Sequence, residues 1–107
     1  MPADSAVGIL EQLRDHRVDG CVGGGWAVDA LLGRQTREHA DLDLWLTSVF
    51  PASALDGRGT IAGQLVRCDA AEWVVRWRND YPPRTVDRHD VALICQHFGL
   101  ALPPAYR

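Results

Sequence analysis

Three consecutive glycines, Gly23, Gly24 and Gly25, constrain the fold of this chain more than any other feature of its sequence. They follow residues 18–22, which predict a short buried strand, and precede residues 26–32, where apolar side chains recur at helical spacing. Glycine lets a backbone turn sharply and approach a ligand closely. The helix behind the turn presents unpaired N–H groups to an anion. The segment therefore predicts a strand–turn–helix unit, which is either a phosphate site or only a tight turn.

The second constraint is a pair of aspartates, Asp41 and Asp43. Residues 41–46 alternate in polarity, with Asp41, Asp43 and Trp45 on one face and three leucines on the other, which predicts a half-buried strand. The two carboxylates would project from the same face about 7 Å apart, and like charges so close favour a cation between them. Magnesium prefers oxygen ligands and shares them with substrate phosphates. A solvated edge strand is the alternative interpretation.

The rest of the sequence predicts a small α+β domain with a mixed sheet and flanking helices. Its 107 residues are enough for one domain, spanning residues 1–107. Residues 59–61 and 64–68 predict a hairpin, and residues 5–17, 70–79 and 87–98 predict helices in addition to the one after the glycines. Helix caps are predicted at Ser5, Asp69 and Asp87 on the N-terminal side and at Gly33 and Gly99 on the C-terminal side.

Composition narrows the class of protein. A formal net charge of -3 argues against a nucleic-acid partner. All 11 basic residues are arginine, whose planar guanidinium suits phosphate or carboxylate. The three cysteines lie far apart in apolar runs, which predicts buried thiols. No stretch has the length of a membrane span or the pattern of a secretion signal, so no membrane partner and a cytoplasmic location are expected.

The run GGGWAVDALLGRQTREHADLDLWL, residues 23–46, contains both constraints. It resembles the signature of the nucleotidyltransferase superfamily, and most closely the branch of the aminoglycoside and lincosamide adenylyltransferases. The later segments GRGTIAGQLVRC and DRHDVALICQHFGL also resemble small members of this group. The resemblance implies a minimal, polymerase-beta-like nucleotidyltransferase fold and a part in antibiotic resistance or biosynthesis.

The same resemblance implies a reaction and roles for individual residues. The reaction is the magnesium-dependent transfer of a nucleoside monophosphate from ATP or another NTP to a hydroxyl of a small molecule such as an aminoglycoside or lincosamide. Arg37 and His39 would flank the phosphates or hold their loop, and His39 is the candidate for a pH-sensitive group. The implied sets are Gly24, Gly25, Trp26 and Arg37 for the nucleotide, Asp41 and Asp43 for Mg2+, and Asp41, Asp43 and His39 for catalysis.

The chain departs from the family in one respect. Active members carry a third carboxylate on a later strand, where it completes the metal site and can act as general base. Here a connection at residues 47–57 replaces the segment that carries it, so the domain is internally shortened. Four aspartates are candidates for a substitute, each with a structural role that the sequence favours: Asp56 in a turn, Asp69 and Asp87 as N-caps, and Asp90 in a surface ion pair with Arg84 or Arg88.

The shortening leaves assembly and function open. A sheet that has lost residues exposes apolar surface, which predicts a homodimer or higher homo-oligomer whose second chain could restore the acid. Because a fold does not fix a function, Asp41, Asp43 and His39 could instead perform nucleotide-independent acid–base chemistry, such as a cyclisation, dehydration or isomerisation of a natural product. A non-catalytic nucleotide-binding module is the third possibility. The role of Asp29 is undecided, and Trp45 is a candidate wall of the site.

Overall fold

The computed structural model of the chain describes residues 1–45 and 52–107. The described part contains four α-helices and one mixed sheet of four strands, which confirms the predicted α+β class. In chain order the elements are α1 (Ala3–Asp15), β1 (Cys21–Gly23), α2 (Gly24–Leu32), β2 (Asp43–Trp45), β3 (Gly57–Ile61), β4 (Gln64–Cys68), α3 (Ala71–Arg78) and α4 (Thr85–Phe98), with 3-10 turns at Ala52–Leu55 and Pro104–Tyr106.

The strand order β2-β1-β4-β3 brings three chain segments to one edge of the sheet. β1 is antiparallel to β2, with Gly23 opposite Asp43, and parallel to β4, with Val22 opposite Cys68. β3 and β4 form the predicted hairpin. The end of β1, the start of β2 and the residue after β4 therefore lie side by side, directly before α2.

Helix α2 lies between two hydrophobic clusters. Ala27 and Ala30 pack with β1, β4 and α1, whereas Val28 packs with α3 and α4. Gly59 on β3 lies so close to α2 that a Cβ there would overlap the carbonyl of Ala30. Packing on both sides holds the first turn of α2 firmly against the sheet edge.

Several predicted boundaries differ from the structure. β1 begins at Cys21, and α2 begins at Gly24, so two of the three glycines belong to the helix. β2 begins at Asp43, which leaves Asp41 just before the strand. Leu46 and residues 47–51 of the predicted connection lie outside the described residues.

The predicted glycine C-caps are confirmed, because both adopt the left-handed conformation, with φ of 75° and 67°. The predicted N-caps are wrong, since each helix begins from an extended residue that is not the predicted aspartate or serine. Asp87 instead lies in the first turn of α4 and accepts a hydrogen bond from the backbone N–H of the capping residue. The observed caps are Pro2, Ala70 and Arg84 in place of Ser5, Asp69 and Asp87.

The three cysteines are buried free thiols, as predicted. Burial raises the pKa of Cys21 to about 11 and that of Cys68 to about 12, which keeps both protonated and unreactive at neutral pH. None of the described helices combines the length and apolar character that crossing a bilayer requires.

Candidate active site

The glycine turn is shaped by side chains that lie against it. Gly24 has a φ of +60°, and a Cβ at this position would overlap the carboxylate of Asp43. A Cβ on Gly23 would lie 2.6 Å from Nε1 of Trp45. Since only glycine tolerates such contacts, the turn is built to hold the side chains of β2 against its backbone.

Gly25 is the point at which two side chains of the loop between α2 and β2 converge. A Cβ on Gly25 would lie 2.5 Å from Nη2 of Arg37 and 2.5 Å from Nδ1 of His39. The first N–H groups of α2 have no partner within the helix. A guanidinium, an imidazole and a helix N-terminus therefore meet at one place, which is an arrangement suited to an anion.

Asp29 holds His39 in position. His39 is buried, and its Nε2 lies 2.6 Å from Oδ2 of Asp29. Asp29 also accepts hydrogen bonds from the hydroxyl of Thr36 at 2.5 Å and from its N–H at 2.9 Å. Nδ1 of His39 has no hydrogen-bond partner among the described residues and lies beside Gly25. The role of Asp29 is thus to orient the imidazole, with Nδ1 left for another group.

Trp26, which the sequence analysis assigned to nucleotide binding, packs in the core. Its side chain is 2% exposed and lies in the core, with its ring centroid 4.5 Å from that of His39. The contact between Trp26 and a nucleotide stays a prediction, and Trp26 is not among the residues that line the cavity beside Gly24 and Gly25. The ring of Trp26 packs against the imidazole of His39.

Asp41 and Asp43 line a cavity of about 310 Å³ together with the glycine turn. Both aspartates are exposed to it, and neither forms an ion pair with another described residue. We call this space the polar cavity. The lining residues used below are Gly24, Gly25, Arg37, His39, Asp41 and Asp43.

The donor set of the polar cavity fits a magnesium ion. Its two exposed carboxylates are those of Asp41 and Asp43, and the described part of the chain contains no cluster of three His, Cys, Asp or Glu side chains that could enclose a metal by itself. Magnesium is commonly held by one or two carboxylates, with phosphate oxygens and water completing its octahedron. Asp41 and Asp43 are therefore the residues that would hold it.

Arg37 is fixed by Asp90 on α4. Asp90 accepts hydrogen bonds from Nε of Arg37 at 3.0 Å and from its Nη2 at 2.9 Å, and Arg78 adds a third at 3.3 Å. The hydrogen bond to Asp90 raises the pKa of Arg37. The predicted surface ion pair of Asp90 with Arg84 or Arg88 is wrong, because Asp90 is buried between α3 and the loop that carries Arg37.

Asp87, like Asp90, lies on α4 and lines the polar cavity. Burial alone would raise the pKa of this carboxyl, but hydrogen bonds from Arg84 and Tyr81 outweigh burial and lower it to about 2. Asp87 is thus an ionised anchor for the start of α4 and for the residues that precede it.

A second cavity, of about 330 Å³, opens on the other side of Asp43. It shares Gly24, Asp43, Arg78 and Arg84 with the polar cavity. Its own walls are mostly rings, and we call it the aromatic cavity. The residues that line it and not the polar cavity are Trp45, Asp69, Trp77 and Tyr81.

Asp69 is the acid of the aromatic cavity. Its side chain is 2% exposed, and Oδ1 accepts a hydrogen bond of 2.8 Å from Nε1 of Trp45. Burial raises the pKa of Asp69 to about 6, with a further rise from Asp43 and an opposing effect of the Trp45 bond and of Arg78. Asp69 is among the candidate acids that the sequence offers, but its local pattern favours a helix cap. Its place in the site depends on the parallel pairing of β4 with β1, which the local sequence does not indicate.

Known proteins share this sequence and fold. The family model described as Aminoglycoside-2''-adenylyltransferase matches residues 6–50. A 2''-aminoglycoside nucleotidyltransferase of Klebsiella pneumoniae is 38% identical over 72 residues, which cover 49% of this chain and 38% of the relative. One of the same name from Escherichia coli is 70% identical over 23 residues, covering 22% and 13%. The chain thus matches well under half the length of these relatives.

Two solved structures share the fold. The crystal structure of ANT(2")-Ia in complex with adenylyl-2"-tobramycin superposes with a TM-score of 0.73 at 21% identity, over 91% of this chain and 89% of that one. The solution structure of ANT(2'')-Ia also gives a TM-score of 0.73, over 84% of its chain.

The fold of the chain is that of the solved nucleotidyltransferase structures, with a glycine turn after a buried strand and a D-x-D motif at the start of the neighbouring strand of a mixed sheet. The sequence matches lie in the region of the glycine turn and the D-x-D motif. Over this region the chain resembles the aminoglycoside adenylyltransferase-like branch of the nucleotidyltransferases.

Proposed function

We propose that this chain transfers a nucleoside monophosphate from a magnesium-bound NTP to a hydroxyl of an aminoglycoside. One observation carries the proposal: Asp41 and Asp43 share a cavity with a glycine turn at which Arg37 and His39 converge. Carboxylates on one side and anion-binding groups on the other are what a metal–triphosphate complex requires. The names of the sequence relatives supply the aminoglycoside as the acceptor class.

The anion-binding groups position the triphosphate. Its oxygens bind to the N–H groups at Gly24 and Gly25 and to the guanidinium of Arg37. Two hydrogen bonds to Asp90 hold that guanidinium at the glycine turn. Nδ1 of His39 donates to a phosphate oxygen when the imidazole is protonated, while Asp29 accepts the bond from Nε2. His39 thus serves the phosphates.

A magnesium ion held by Asp41 and Asp43 would neutralise the triphosphate and polarise the reacting phosphorus. Gly24 keeps the carboxylate of Asp43 against the start of α2, because no side chain separates them. The metal ligands and the phosphate ligands are therefore at a fixed distance from one another before substrate arrives.

Calorimetry tests the nucleotide half of the proposal. The wild type should bind α,β-methylene-ATP only in the presence of Mg2+. Asp41→Asn and Asp43→Asn should each weaken that binding by at least about a hundredfold, because a carboxylate ligand is lost from a site that has only two. Asp56→Asn is the matched control, since Asp56 is exposed and lines neither cavity. Unchanged affinity in both site variants contradicts the proposal.

Transfer itself is measured with labelled ATP and a panel of aminoglycosides and lincosamides. Labelled AMP on an aminoglycoside supports the proposal. Tight metal-dependent binding without transfer to any acceptor would favour a nucleotide-binding module instead. A wild type that binds no nucleotide at all would favour nucleotide-independent acid–base chemistry at the same residues.

A further inference from the structure

We propose that Asp69 is the third carboxylate of this site: it faces the acceptor in the aromatic cavity and takes the proton of its attacking hydroxyl. The inference rests on the proposed function. It assigns the general base to the residue that follows β4 in this chain, so the proposed reaction requires neither a second subunit nor a further strand.

The topology brings Asp69 to the reaction centre. β4 runs parallel to β1, so the residue after β4 lies beside the glycine turn and near Asp43. Asp69 lines the aromatic cavity and not the polar cavity, whereas Arg37 and His39 line only the polar one. Asp43 lies between the two spaces. Phosphoryl-type transfer places the attacking and leaving oxygens roughly in line, and two cavities that meet at the metal ligand provide the two ends of that line.

A structural role does not account for Asp69. Its carboxylate is 2% exposed, receives one hydrogen bond from a described side chain, the neutral Trp45, and has no described cation within ion-pair distance. It does not cap α3, whose N-cap is Ala70. A buried carboxylate without a charged partner destabilises a fold. The other buried aspartates differ in each being paired with a histidine or arginine: Asp29, Asp87 and Asp90.

The hydrogen bond from Trp45 fixes the direction of the carboxylate. With Oδ1 bound to the indole, Oδ2 receives no hydrogen bond from the described residues. Trp45, Trp77 and Tyr81 line the same cavity, and aromatic rings suit the apolar faces and ammonium groups of an amino sugar. Oδ2 is therefore the carboxylate oxygen that remains for a sugar hydroxyl in this cavity.

The step balances with the substrates already named. The acceptor oxygen forms a bond to the α-phosphorus while its proton moves to Asp69. The bond from that phosphorus to the bridging oxygen breaks, and pyrophosphate leaves on the side of Gly25, Arg37 and His39. Asp69 then releases the proton to solvent.

The test compares Asp69→Asn with Asp43→Asn and with the control Asp56→Asn. Asp69→Asn should lower the AMP-transfer rate at saturating substrates by about a hundredfold to ten-thousandfold, the usual contribution of a general base. Its affinity for Mg2+ and α,β-methylene-ATP should stay within about threefold of wild type, whereas Asp43→Asn loses that affinity. Aminoglycoside binding, measured by calorimetry without nucleotide, should weaken about tenfold in Asp69→Asn and not in Asp56→Asn, because a charged acceptor is lost from the aromatic cavity.

Each outcome separates this inference from the proposed function. Transfer by Asp69→Asn within about threefold of wild type overturns the inference and leaves the proposed function standing. Loss of nucleotide binding in Asp69→Asn also overturns it, since Asp69 would then belong to the metal site. A wild type that binds aminoglycoside but no nucleotide refutes the proposed function. In that case, weaker aminoglycoside binding in Asp69→Asn still supports the position of Asp69 facing the acceptor. Unchanged aminoglycoside binding in Asp69→Asn overturns that position.

Discussion

Two buried aspartates, Asp69 and Asp87, differ in what surrounds them, and their pKa values move in opposite directions. Burial raises the pKa of Asp69 from 3.8 to about 6. Asp87 is equally inaccessible, but hydrogen bonds from Arg84 and Tyr81 overcome burial and lower its pKa to about 2. The protein thus disfavours the charged form of Asp69 and favours the charged form of Asp87. At neutral pH, Asp69 lowers the free energy of unfolding and Asp87 raises it.

Unfolding by urea at several pH values should show this contrast. A folded-state pKa above the unfolded value means that the stabilisation by protonated Asp69 is fully present below about pH 4 and is lost as pH rises through about 6. Relative to wild type, Asp69→Asn should therefore gain about 3 kcal/mol between about pH 4 and pH 8. A gain that does not depend on pH would contradict the assignment. The variant should fold at least as well as wild type, which makes it usable in the kinetic test above.

Asp87→Asn is the opposite case. A lowered folded-state pKa means that the stabilisation by Asp87 is present above about pH 4 and is lost as pH falls through about 2. The substitution should therefore cost about 2 kcal/mol at neutral pH, and the deficit should shrink in acid. The same urea titration measures both variants.

At the scale of elements, the turn between β1 and α2 depends on the absence of one Cβ. Gly24→Ala would strain a backbone at φ +60° and push the methyl group into the carboxylate of Asp43. Gly63, in the β3–β4 turn, has a φ of +78°, but a Cβ there would meet no atom of the described residues within 4 Å. Both alanine variants should lose about 1 kcal/mol of stability from backbone strain. Only Gly24→Ala should also lose Mg2+–nucleotide affinity, by more than about tenfold, and equal affinities in the two variants would exclude this role of the turn.

The same elements show what the sequence could predict. The glycine turn and the β3–β4 hairpin follow from local signals, namely consecutive glycines and short β runs around Ala62-Gly63, and both are present. The place of Asp69 depends on β4 pairing in parallel with β1, a long-range contact that no local pattern encodes. An aspartate just before a helix is typical of an N-cap. The local sequence therefore predicts a cap at Asp69 and not a place at the edge of the sheet. The burial of Asp90 was missed similarly, because its partner Arg37 lies 53 residues away.

At the scale of the whole molecule, the polar cavity lies where the two hydrophobic clusters meet. The cluster of the sheet and α1 and the cluster of α3 and α4 meet at α2. The first turn of α2 lies in the polar cavity, where Asp43 comes from the sheet side and Asp90 from α4. A ligand bound there contacts elements of both clusters. It should therefore stabilise the fold as a unit and not one half of it.

Thermal unfolding measures this linkage. A ligand at about a hundred times its Kd stabilises the folded state by about 2.7 kcal/mol, and for a domain of this size each kcal/mol raises Tm by about 4–8 °C. Mg2+ with α,β-methylene-ATP should thus raise the Tm of wild type by about 10 °C or more in a single transition, and neither component alone should do so. Asp43→Asn should show no such rise, whereas Asp56→Asn should match wild type. A second transition that the ligand leaves unmoved would mean that the two clusters unfold separately, and that α2 does not couple them.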